Sequence, residues 1–84
     1  MSSQETILKS YQKILKDNIK MIIDNYMEII RLSHVDLNEP NNYLESIKNQ
    51  EHYEMEVRAS NMCKGSEELI KLIYNIKQFL IDSK

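Results

Sequence analysis

The side chains with the widest chemical range in this sequence are His34, His52 and Cys63, and their spacing assembles no reaction centre. A di-metal centre between helices needs inward-facing glutamates and Glu-x-x-His pairs. Arg31 and Asn49 occupy the places three residues before the two histidines. His-Glu-x-x-His, Cys-x-x-Cys and glycine-rich phosphate loops are all missing from the chain. Cys63 would need a neighbouring base and oxyanion donors to act as a nucleophile, and a helical chain of this size supplies no evident pocket for them. It reads as a small helix residue beside an apolar face, and one lone thiol suits a reducing compartment. The sequence therefore assigns no catalytic, cofactor-binding or metal-ligating residues, and no small-molecule ligand.

Charge narrows the partners further. Eleven basic and 13 acidic residues leave a net charge of −2, and no Lys/Arg run dominates a segment. Phosphate-driven contact with nucleic acid is not expected from such a balance. Met1-Ser2-Ser3-Gln4-Glu5 has neither the basic-then-apolar pattern of a leader nor a myristoylation glycine. Apolar tracts are short, the one from Ile29 to Leu32 being interrupted by Arg31, so no bilayer-spanning segment is expected. These features predict a soluble, intracellular, helical protein.

Helices must position whatever this chain presents, since one Gly and one Pro in 84 residues permit little else. The first helix is predicted over about residues 3–34, opened by Ser2-x-x-Glu5 at capping-box spacing. Leu8, Tyr11, Leu15, Ile19, Ile22, Tyr26 and Ile29 recur at steps of 3, 4, 4, 3, 4 and 3, the period of about 3.5 that marks coiled-coil packing. Ile7, Ile14 and Leu32 widen one flank of this stripe, and Ile23 and Ile30 the other, to roughly half the circumference. Glu5–Lys9 and Lys13–Asp17 are candidate i,i+4 pairs on the solvated face.

Asp36 to Asn42 surrounds Pro40 and ends the pattern. A loop over about 35–44 is followed by a second helix over about 45–82, with Asn42 a weak capping candidate and 43–50 open between helix and frayed end. Met55, Ala59, Met62, Ser66, Leu69, Ile73, Ile76 and Leu80 form its stripe at a period of about 3.6. Gly65, inside this run, costs about 1 kcal/mol relative to Ala. It marks either the close approach of a neighbouring backbone or a tolerated defect. Asn18 and Arg58 lie at the stripe edges. Asn18 fixes register or sits half-exposed, and Arg58 pairs with Glu54 one turn earlier or with a partner carboxylate. Tyr53 and Val57, opposite the stripe, are isolated surface residues or a further docking point.

Residues 1–84 thus form one unit, an all-α antiparallel hairpin. A hairpin buries only the part of each stripe that faces its sibling. The remaining surface of Leu8, Tyr11, Leu15, Ile19, Ile22, Tyr26 and Ile29, and of Met55, Ala59, Met62, Leu69, Ile73, Ile76 and Leu80, is the predicted partner interface. Two more helices would complete a four-helix bundle, supplied by a second copy or by a different protein.

The run from Glu5 through Lys20 and on from Asp24 to Arg31 closely resembles the start of the Surfeit locus protein 5 family, subunit 22 of Mediator. Tyr53-Glu54-Met55-Glu56-Val57-Arg58-Ala59-Ser60-Asn61 and the segments Leu69 to Leu72 and Lys77 to Ile81 resemble its second helix. Family members carry their glycine one position later, where this chain has Ser66, and many continue beyond the equivalent of Ile81. The resemblance implies a structural, non-enzymatic subunit of the nuclear Mediator head module, a coactivator of RNA polymerase II transcription. It implies a heterodimeric four-helix bundle with Mediator subunit 11, contacts to other head subunits, and no direct reading of DNA. The alternative is a self-associating coiled-coil adaptor or tether.

Overall fold

The structure, a computed structural model, describes residues 2–34 and 41–83, with side chains in the second helix described from position 47. Helix α1 spans Ser3–Leu32 and helix α2 spans Asn41–Asp82. The 43–50 stretch, which the sequence left open, is helical, and the helix already starts at Asn41, inside the loop expected to run to about 44. The break at Pro40 and the capping side chain of Asn42 lie outside the described residues.

Local chemistry explains the ends of α1. Ser2 keeps extended backbone, and its Oγ accepts the Glu5 amide at 3.1 Å, satisfying a donor that the first turn leaves without a helical partner. Glu5 and Arg31 lie in the first and last turns, each at the end where the helix dipole favours its charge. Ser33 closes the helix, its amide donating to the Ile29 carbonyl at 3.0 Å and its Oγ to the Ile30 carbonyl at 2.7 Å.

The helices run antiparallel, since residue numbers rise along one as their contacts fall along the other. Tyr11 meets Asn75 and Phe79, Ile22 meets Gly65, and Asn25 meets Arg58 and Asn61. The result is a rod of 65 × 20 × 12 Å with a radius of gyration of 19.3 Å; a compact domain of this length would have about 12 Å. Among the described residues the only apolar side chains that reach burial are Leu32 and Leu72, at 5% and 4% exposure.

The seam does not follow the centre of the apolar stripes. On α1 it uses Tyr11, Ile14, Asn18, Met21, Asn25 and Leu32, which are buried or half-buried, while Leu8, Leu15, Ile19 and Tyr26 stay exposed. Ile14 and Leu32, which the sequence placed on a flank, are at the contact. The hairpin therefore closes along one edge of each stripe and leaves the breadth of both facing outward.

Gly65 explains how closely the helices meet. A Cβ there would stand 2.9 Å from Ile22 Cγ1 and 3.2 Å from Met21 Cε, tighter than ordinary van der Waals contact. The glycine is a close-approach residue, and what approaches is side chain rather than backbone. Overpacking costs typically about 1–3 kcal/mol, so Gly65→Leu should lower the unfolding free energy by about that amount, measured by urea denaturation followed by circular dichroism. Lys13→Glu, on the solvated face, should stay within about 0.5 kcal/mol.

Candidate partner interface

Two elements define the hairpin's functional geometry: a polar lock in the seam and a broad apolar face beside it. Asn25 is 5% exposed. Its Nδ2 donates to the Met21 carbonyl one turn earlier at 2.6 Å, and its Oδ1 accepts from Asn61 Nδ2 at 3.2 Å and Arg58 Nη1 at 3.4 Å. Burying an amide without partners is costly, and a satisfied polar group favours the one register in which its partners meet it. Asn18, the sequence candidate for this role, donates only within its own helix, to the Ile14 carbonyl at 2.8 Å. Asn25 was missed, although it sits seven residues from both Asn18 and Leu32 and so shares their heptad position. Arg58 forms no ion pair with Glu54 among the described residues; it turns across the seam instead.

Helical geometry sorts the rest to two sides. In an antiparallel pair, flanks reached by the same sense of rotation from the seam fall on the same side. Leu8, Leu15, Ile19, Ile22, Tyr26 and Ile29 of α1 therefore share a side with Met55, Ala59, Met62, Leu69, Ile73, Ile76 and Leu80 of α2. A shallow groove lined by Leu8, Tyr11, Gln12, Leu15, Leu72 and Ile76 joins the two ridges. Leu8, Leu15, Ile19, Tyr26, Ile73 and Leu80 are exposed; Ile22, Ile29, Met55, Met62, Leu69 and Ile76 are half-buried toward the sibling helix. Tyr11 belongs more to the seam than to the face: its hydroxyl donates to the Asn75 carbonyl at 3.3 Å, and its ring meets Phe79 edge-on at 6.1 Å.

The opposite side is ionic. Lys13–Asp17 at 2.7 Å, Lys20–Asp24 at 2.6 Å, Lys71–Glu68 at 3.1 Å and the Arg31–Glu28 pair all lie there. The expected Glu5–Lys9 pair does not form among the described residues. Hydrogen bonding to Asp17 and Asp24 raises the Lys13 and Lys20 pKa values, and hydrogen bonding to Arg31 lowers that of Glu28. The Glu28 contribution is thus present above its ordinary carboxylate range and lost as pH falls through its lowered value. These pairs are exposed and contribute little to stability; they mark the side that faces water.

The rod's surface is large for its mass. The chain exposes 6795 Å², against about 5,200 Å² for a compact monomer of its mass. The surplus of about 1,500 Å² exceeds the roughly 800 Å² that one partner contributes to a standard interface. No cluster of His, Cys, Asp and Glu fit to hold a metal occurs among the described residues, and no described helix is long and apolar enough to cross a membrane. Cys63 is exposed, at the outer margin of the apolar side.

A family model described as "Surfeit locus protein 5 subunit 22 of Mediator complex" matches residues 13–83. Proteins named "Mediator of RNA polymerase II transcription subunit 22" are similar over 79 residues, 94% of this chain. Those from Takifugu rubripes and Homo sapiens are each 46% identical, the match covering 39% of the relative. The Gallus gallus protein is 44% identical, with 38% of it covered. The chain spans about two fifths of the length of these relatives.

The polar lock yields a direct test. Asn25→Ala removes the acceptor shared by Asn61 and Arg58 and should destabilise the hairpin by about 1–3 kcal/mol, whereas Asn18→Ala should cost less. In a double-mutant cycle, Asn25→Ala and Asn61→Ala should couple by at least about 0.5 kcal/mol, read from urea unfolding.

Proposed function

The chain belongs to the Surfeit locus protein 5 family, subunit 22 of the Mediator complex, and from that premise we propose that its hairpin is half of a heterodimeric four-helix bundle closed by Mediator subunit 11. The observation that carries this reading is the exposed apolar side of α1 and α2. It is long, continuous and two helices wide, so the occupant that covers it most fully is a second hairpin of similar length. The bundle forms in the nucleus, within the head module of Mediator, and contributes to RNA polymerase II transcription regulation as architecture. The hairpin holds other subunits in place and carries out no reaction, binds no cofactor and reads no DNA. The four-helix interface comprises thirteen of the predicted residues from Leu8 to Ile29 and Met55 to Leu80, Tyr11 being taken up by the seam.

A self-associating adaptor uses the same surface, so partner identity separates the two readings. Co-expression of the full chain with subunit 11 should give a soluble 1:1 complex by light scattering, while the chain alone self-associates or folds poorly. A monodisperse, cooperatively melting monomer would refute the need for any second hairpin. Ile19→Asp and Ile73→Asp place a charge where a partner would bury it but leave the seam intact. Each should weaken binding of subunit 11 by more than about 100-fold, with the helical signal of the chain retained. Lys13→Glu should change affinity by less than about threefold.

A further inference from the structure

The proposed bundle leaves one part of α2 unaccounted for. From Leu69 to Ile81 apolar side chains occupy most of the helix circumference. Leu72 and Phe79 face α1, and Ile73 and Leu80 lie on the bundle side. Tyr74 and Ile81 stand on the far edge, turned away from α1 and off the bundle side, at 68% and 61% exposure. Ile70, also exposed, begins the same ridge, so Ile70, Tyr74, Lys77 and Ile81 follow one another at steps of 4, 3 and 4. That is the spacing by which one helix offers a stripe to another. A helix apolar around most of its circumference is ordinarily enclosed on more than two sides, and α1 with one hairpin encloses two. The outer edge of α1 at the same level is different: Lys9, Lys13, Lys16 and Lys20 occupy it.

We infer that the outer edge of α2 over Ile70, Tyr74, Lys77 and Ile81 is a second docking surface, occupied by an amphipathic helix of a third protein chain with an acidic residue against Lys77. Two observations support this occupant. The ridge is continuous with the bundle side through Ile70 and Ile73. The Lys77 ammonium lies 6.0 Å from the Tyr74 ring centroid and forms no ion pair among the described residues, so the ridge presents a cation at its centre. A carboxylate from the incoming helix would meet it there while the aromatic ring packs against aliphatic side chains. The inference rests on the bundle reading in one respect, that a first hairpin holds the opposite side of Ile73 and Leu80.

The test uses Mediator purified through the tagged full chain, with a photo-crosslinking phenylalanine analogue at Tyr74 and, as control, at Lys13. The expected adduct joins position 74 to a helical segment of a chain other than the hairpin partner. An adduct to the hairpin partner, to a second copy of the chain or to another part of the same chain would overturn the inference, as would a yield no greater than at Lys13. In parallel, Tyr74→Glu combined with Ile81→Lys should lower recovery of the remaining Mediator subunits by at least about tenfold. The hairpin partner should stay within about twofold. Retention of all subunits, or loss of the hairpin partner as well, would each overturn it. If Ile19→Asp leaves the hairpin partner bound, the bundle reading fails, whatever the outcome at Tyr74.

Discussion

Two helices can touch along one line only, and everything else in this structure follows from that limit. A single seam hides one row of side chains from each helix, so a chain with 42% hydrophobic residues buries only Leu32 and Leu72 among the apolar side chains of the described residues. The remaining apolar side chains are placed by the same helices that failed to hide them. A rod whose backbone measures 12 Å through its thinnest dimension carries those side chains on its outside, where a neighbouring chain can reach them.

The seam is chosen by fit rather than by hydrophobicity. If burial alone decided, the helices would turn the centres of their stripes toward one another and cover Leu15, Ile19 and Ile73. They meet instead where Gly65 admits Ile22 and Met21 and where Asn25 finds Asn61 and Arg58. A missing Cβ and a satisfied amide are both features of one register and one rotation. They hold the hairpin at an angle that leaves the stripes aligned on a common side, with ion pairs on the other. The local polar contacts thus determine where the larger apolar contact is offered.

Much of this was legible in the sequence. The 3.5-residue period and the Ser2 cap specified the helices, and the width of the stripes implied more surface than a hairpin can hide. The seam's direction was not legible, because a stripe covering half the circumference contains many possible lines of contact. Ile14 and Leu32 therefore looked like flank residues, and nothing in the spacing singled out Asn25. For Arg58 the sequence offered Glu54 or a partner carboxylate, because spacing along one helix carries no information about an acceptor on the other. For Gly65 the sequence offered close approach or defect; the contact with Ile22 decides for close approach.

The cross-seam contacts also nest around the turn, and nesting implies an order of events in time. Asn25 lies 33 residues from Arg58 and 36 from Asn61, whereas Tyr11 and Asn75 are 64 apart. Closing a longer loop costs more chain entropy unless an inner contact has already shortened it. The hairpin therefore zips from the Asn25 level outward, and the Tyr11–Phe79 end is the last to close and the first to open. A newly made chain would present that end, including the first turns of α1, to proteases for longest.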